Sequence, residues 1–193
     1  MNFVDPIRDV KKVEALKKYM LVSGNYRDYA LVVLGLNSAL RISDQLELRW
    51  EDAYDFDRKQ FKQHIRLREQ KTKKAKLVKL NNNLVSALKI YFQHLQPPPE
   101  PKQFIFPSRY GMNRPLSRQR AHQIISEAAQ AVGIHGNIGC HSLRKTFGYQ
   151  SWKRGVPLPL IMELFNHSNY SITKKYLGIS QDDLDDVNAM VEL

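Results

Sequence analysis

The chain has 193 residues, 42% of them hydrophobic and 25% charged, with a formal net charge of +11. That is enough for one domain with its own core, and no apolar run nears the ~20 residues a membrane helix needs. The opening Met-Asn-Phe-Val-Asp-Pro lacks the basic-then-apolar pattern of a leader, so a cytoplasmic protein is expected; one cysteine, Cys140, excludes an internal disulfide.

Val13, Leu16 and Met20 recur at helical spacing, and Tyr29 to Leu40 is apolar enough for a buried helix, with Asn25 or Asp28 as its cap. From Trp50 to Leu80 the chain turns β-branched, aromatic and basic, and a small antiparallel sheet is predicted there. Its strands are Phe61 to Arg68 and Ala75 to Leu80, around a lysine-rich turn, Gln70 to Lys74. Between Arg58 and Lys79 lie ten Lys/Arg and one acid, Glu69. Clustered positive charge of this kind suits a phosphate backbone, and equally a solvated lysine-rich surface.

Asn81-Asn82-Asn83 caps an amphipathic helix carrying Leu84, Leu88, Tyr91, Phe92 and Leu95 on one face. The four prolines between Gln96 and Pro101 end it and form the best candidate for a mobile connector. Phe104 to Phe106 reads as a short strand or extended piece. Ser117 caps a helix through Val132, stopped by Gly133. Helices are then predicted over His141 to Lys153, Leu158 to Phe165 and Ser171 to Tyr176. Ser180-Gln-Asp-Asp183 has the form of a capping box ahead of an acidic helix with Leu184, Val187, Met190 and Val191 as its stripe. The fold class is mainly α with one small antiparallel sheet.

His141 and Arg144, three apart on a helix, share one face near its N-terminus, where an anion is favoured. Arginine captures phosphate oxygens in pairs and histidine moves protons near neutrality. His-x-x-Arg alone arises easily in so basic a chain, a tyrosine among apolar residues is usually core, and His167 alone fits a structural role. Tyr176 differs in following Lys174 and Lys175, cations that help a phenol become a nucleophile. Metal ligation is disfavoured because neither His-Glu-x-x-His nor Cys-x-x-Cys occurs, and a Cys140–His141 dyad fails because adjacent helix residues do not face each other.

Taken in order, Ser-Ala-Leu-Arg41-Ile-Ser-Asp44, Gln-Lys71-Thr-Lys, Phe-Ile-Phe-Pro-Ser, Arg-Pro-Leu-Ser-Arg, His141-Ser-Leu-Arg144, His167 and Tyr176 resemble the catalytic domain of the tyrosine recombinase (phage integrase) family. The resemblance runs through nearly the whole chain. It implies the family's DNA breaking–rejoining fold over residues 1–179, with 180–193 as an acidic amphipathic helix that either packs on its own core or docks in trans, the family habit. It implies a site-specific recombinase in which Tyr176 attacks the scissile phosphate and forms a 3′-phosphotyrosyl link. Arg41 and Arg144 would clamp the non-bridging oxygens, Lys71 would protonate the leaving 5′-oxygen, His141 would act as acid/base, and His167 would hydrogen-bond the phosphate. Asp44 matches the family's supporting acid. Lys73, Lys74, Lys76, Arg118, Arg120, Lys174 and Lys175 are the expected DNA contacts.

The resemblance further implies no metal, ATP or other cofactor. The expected partners are double-stranded DNA with inverted-repeat sites, further copies of the chain (a dimer on a site, a tetramer in synapsis) and accessory DNA-bending proteins, in a bacterial or phage-associated setting at the nucleoid. Two departures stand out: Ala39 and Asn166 occupy positions where the family commonly has glycine. An N-terminal clamp domain, present in many members, is not visible, so the chain reads as a fragment or as a short enzyme similar to fimbrial phase-variation recombinases. A type IB topoisomerase and a non-catalytic DNA-binding module are the alternatives.

Overall fold

The computed structural model describes residues 4–179 and 181–191. Ten helices and two antiparallel two-stranded sheets are described, in the order α1 Val10–Val22, α2 Tyr26–Asn37, α3 Ile42–Leu46, α4 Trp50–Ala53, β1 Tyr54–Asp55, β2 Gln60–Phe61, β3 His64–Arg68, β4 Ala75–Lys79, α5 Asn82–Gln93, α6 Arg118–Ala131, α7 Cys140–Lys153, α8 Leu158–Phe165, α9 Tyr170–Leu177 and α10 Gln181–Met190. None of the described helices is long and apolar enough to cross a membrane.

Helix α2 is the axis of the main core. Its residues Ala30 to Leu36 are buried without interruption, and it packs against α1, α5 and α7. The crossing with α7 is close because Gly35 sits there: a Cβ at that position would lie 2.8 Å from Leu143 Cδ1. The helix ends at Asn37, earlier than the apolar run predicts. Ser38 turns extended, its hydroxyl bonding Leu34 O at 2.7 Å, and the chain swings out to present Arg41 as the residue preceding α3. The predicted caps at Asn81 and Ser117 accept from Leu84 N and Arg120 N; Asn25 precedes α2 without a side-chain bond to it.

The region from Trp50 to Leu80 departs from a single sheet. Trp50–Ala53 is a helical turn, fixed by the Asp52 carboxylate accepting from Arg49 N at 2.8 Å. Two separate hairpins follow, β1–β2 and β3–β4, the second pairing His64 with Lys79 through Arg68 with Ala75. Phe104–Phe106 forms no named strand; Phe104 makes an isolated bridge to Arg49, and Ile105 N donates to Leu48 O. The proline-rich segment is strapped down, since Glu51 N donates to Pro101 O and Trp50 N to Gln103 O.

A second, smaller core consists of Ala39, Ile161, Phe165 and Leu177. It joins α8 and α9 to α7, where Gly148 allows contact: a Cβ there would meet the Phe165 ring at 2.6 Å and Leu177 Cδ2 at 2.7 Å. Helix α10 is tied to the same chain by Asp183, which is buried against Arg8, the Tyr149 hydroxyl and Lys153. The expected Ser180 cap lies outside the described residues.

Candidate active site

The site lies where the two cores meet, and one peptide group organises it. The carbonyl of Ala39 accepts from Arg144 Nη1 and from Lys76 Nζ (3.0 Å). Arg144 is buried on α7; its Nη2 donates to Phe165 O at 3.1 Å and its guanidinium lies 4.7 Å from the Phe165 ring centroid. This places an always-charged fork at the end of α8, held by backbone acceptors. The Tyr176 phenol packs edge-on against Phe165 and His167, with ring centroids 5.2 and 5.0 Å apart. Burial raises its pKa, against the charge and hydrogen bond of Arg144 and the charge of Arg41. The phenol therefore rests protonated beside the group that would stabilise its anion.

His167 follows Asn166, which ends α8 in the left-handed conformation (φ 54°) and turns the chain into the site. Its Nδ1 lies 3.0 Å from Thr173 Oγ1. Burial, followed by the charges of Arg144, Arg41 and Lys76, pushes the imidazole down to about 4, so it is neutral at physiological pH. His141 stands at the exposed rim on the first turn of α7. Its protonation is likewise disfavoured, first by loss of solvent on the side facing the site and then by Arg144, Lys145, Arg41 and Lys71. A neutral histidine can accept a proton or donate one ring N–H.

Arg41 Nη1 lies 3.0 Å from Glu69 Oε2, in a contact that lacks hydrogen-bond alignment. Asp44 does not supply that partner. Its Oδ1 accepts from Gln70 N at 2.9 Å, anchoring the start of the lysine turn, while its Oδ2 is buried with no aligned partner among the described residues. Lys71 is exposed in this turn, close enough to act electrostatically on His141.

Glu69 is the participant that the sequence reading missed. It is fully buried and accepts from Thr72 Oγ1 at 2.6 Å and Asn166 Nδ2 at 2.8 Å, with Lys76 Nζ at 3.4 Å. Burial alone would raise its pKa, but these bonds and the charges of Lys76 and Arg41 hold it down at about 2. A strand-phase signal was present: Glu69 continues the alternation of Ile65 and Leu67, as Lys76 precedes Val78 and Leu80. Lys76, grouped by sequence with the DNA-facing lysines, is thus corrected to an inward residue. Its ammonium also donates to Leu164 O at 2.7 Å, and burial followed by Arg144 lowers it to about 8. Lys73, Lys74, Arg118, Arg120, Lys174 and Lys175 are exposed.

A tyrosine, two arginines and two histidines on a mainly helical domain make up a candidate phosphate-handling site. The comparisons agree: the phage integrase family matches residues 9–182. The chain is 38% identical over 182 residues to "Probable integrase/recombinase YoeC" of Bacillus subtilis (strain 168), covering 94% of this chain and 93% of that one. Among solved structures it superposes on XerA recombinase with TM-score 0.76 at 19% identity, over 96% of this chain and 63% of that one. It also superposes on the XerH site-specific recombinase bound to palindromic difH substrate, a post-cleavage complex, with TM-score 0.73 at 16% identity, over 96% of this chain and 52% of the other. The chain belongs to the phage integrase family, and its enzymatic class is that of the tyrosine site-specific recombinases.

Proposed function

We propose that this protein cuts and rejoins double-stranded DNA at specific sites through a covalent link between Tyr176 and a 3′-phosphate. The observation that carries the reading is that the Tyr176 phenol lies within electrostatic reach of both Arg144 and Arg41, with the Arg144 fork fixed by the Phe165 carbonyl. Arg41 Nη1, buried without an aligned partner, is a donor that a phosphate oxygen would satisfy.

In this reading Tyr176 attacks phosphorus, and Arg41 and Arg144 stabilise the charge growing on the non-bridging oxygens. His141 takes the phenolic proton at the rim, His167 donates a ring N–H to the phosphate, and Lys71 protonates the departing 5′-oxygen. Rejoining is the reverse, with the 5′-hydroxyl as nucleophile; the energy of the broken bond is kept in the protein–DNA ester.

Lys73, Lys74, Arg118, Arg120, Lys174 and Lys175 would hold the backbone of inverted-repeat sites. Dimers would occupy a site and tetramers the synapse, with accessory DNA-bending proteins as further partners, at the nucleoid of a bacterial or phage-associated cytoplasm. Helix α10 would contribute to assembly: Asp183 anchors its first turn to its own subunit, while Leu184 and Met190 remain exposed for a neighbour. Removing residues after Gly178 should abolish synapsis; unchanged synapsis would refute that role. For the chemistry, a nicked DNA from which the cleaved fragment diffuses away should trap a covalent adduct with the native chain and none with Tyr176→Phe. Adduct in the mutant would overturn the assignment.

A further inference from the structure

Glu69 and Asn166 join four segments at a single carboxylate. Thr72 belongs to the lysine turn, Asn166 ends α8, Arg41 precedes α3 and Lys76 lies on β4; Thr72, Asn166 and Lys76 donate to Glu69 and Arg41 pairs with it by charge. Three cations, Arg41, Lys76 and Arg144, are gathered in a site that holds no other buried acid aimed at them among the described residues. Lys76 and Arg144 even share the Ala39 carbonyl. Like charges crowded this way repel unless an anion sits between them. In the cleavage reaction that anion is the phosphate; before DNA arrives it is Glu69.

Asn166 is the distant partner of this carboxylate. Its backbone is left-handed, a conformation for which glycine is the easiest residue. The side chain is nevertheless used: its amide donates to Glu69 at 2.8 Å. The next residue in the chain is His167.

We propose that Glu69 and Asn166 are a coupled pair of positioning residues for the cleavage reaction. Glu69 holds the Arg41 guanidinium in place before phosphate binds. Through Asn166 it fixes the turn that carries His167, and through its chain neighbours Gln70 and Lys71 it fixes the base of the lysine turn. Neither residue touches substrate; both act on the groups that do.

The proposal rests on the recombinase reading, and two measurements keep its failure distinct from that reading's. Asn166→Gly is the informative variant, because glycine accepts the left-handed backbone and only the amide is lost. The first measurement is adduct formation at saturating DNA beside DNA affinity, in native protein, Asn166→Gly, Glu69→Gln and the double variant. Each single variant should slow adduct formation by roughly tenfold or more, towards the ~10²-fold that an ångström-scale misplacement costs, with affinity changed less than about twofold. The double variant should be no slower than Glu69→Gln. An Asn166→Gly protein cleaving at the native rate, or additive losses in the double variant, would overturn the pairing.

The second measurement needs no activity. The His167 ring, titrated by NMR in the DNA-free protein, should move from about 4 towards its ordinary value in Asn166→Gly as the turn loosens. An unmoved His167 would overturn the proposal even in a chain that forms no adduct. A native chain without adduct, but with the His167 shift present, would refute the recombinase reading alone.

Discussion

The two cores of this molecule are unequal, and the candidate active site is divided between them. The main core, built on α2, carries Arg41 and Asp44 on its edge and His141 at the start of α7. The smaller core has four fully buried residues and carries His167 and Tyr176. Arg144, on α7, bonds the carbonyls of Ala39 and Phe165, both in the smaller core, and so bridges that core to the helix that packs on α2. Stability within a protein is not uniform, and elements held by few buried contacts open most easily. In the proposed mechanism Arg41 would stand on the larger core and the nucleophile Tyr176 on the smaller one, the part expected to open more readily.

Arg144→Ala should have the largest effect, because it breaks the bridge itself. Adduct formation should fall by roughly 10³-fold, as for loss of a transition-state donor. The Phe165 carbonyl loses its side-chain donor while the Ala39 carbonyl keeps Lys76, and the fold should weaken by about 1–3 kcal/mol. A denaturant titration beside the cleavage assay checks both. If Arg144→Ala cleaved normally while destabilised, the arginine would be a strut only.

Lys71→Ala should separate chemistry from fold. Its turn packs on neither core, so the melting temperature should not move, while cleavage slows by ~10²-fold. DNA with sulfur in place of the 5′-bridging oxygen, a leaving group that needs no proton, should restore the rate. Failure to restore it would move the acid role to another lysine of the turn.

Glycine substitutions compare the cores directly. Gly35→Ala strikes the Leu143 side chain in the main core, and Gly148→Ala strikes Phe165 and Leu177 in the small one. Overpacking costs about 1–3 kcal/mol in either place. Gly35→Ala should lower the global melting temperature with cleavage retained at low temperature. Gly148→Ala should instead raise hydrogen exchange in α8 and α9 and slow cleavage, with the smaller thermal shift. Equal global shifts would show that the two cores unfold as one unit.

The smallest effect is a pH slope. His167 binds its proton at about 4 when folded and near 6.5 when unfolded, so the unfolded chain gains the extra proton between these values. Stability should fall as pH drops through that window. Glu69, at about 2 when folded, adds a further loss below its ordinary 4.5. His167→Gln should flatten the upper part of the acid limb in urea midpoints and leave the lower part.

Periodicity and caps were enough to outline most helices, because apolar faces and Asn81 or Ser117 act locally. The ordered chemistry-bearing residues gave a candidate site through their order along the chain, from Arg41 to Tyr176, and not through any local pattern. The α2 boundary was not legible: apolar Ala39 and Leu40 extend the run, while Ser38 turns extended with its hydroxyl on Leu34 O and ends the helix at Asn37. Glu69 looked like a lone acid in a basic surface stretch, since its four partners come from segments up to 97 residues distant. Asn166 read as a tolerated departure from glycine, and its amide's partner became visible only in three dimensions.

The central claim is that one particular phenol becomes bonded to DNA, and mass spectrometry of a trypsin-digested adduct addresses it. Cleavage after Lys175 releases a peptide that begins at Tyr176 and contains no other tyrosine through Leu193. The nucleotide mass is expected on that peptide, at Tyr176. A nucleotide on any other residue, with Tyr176 unmodified, would contradict it.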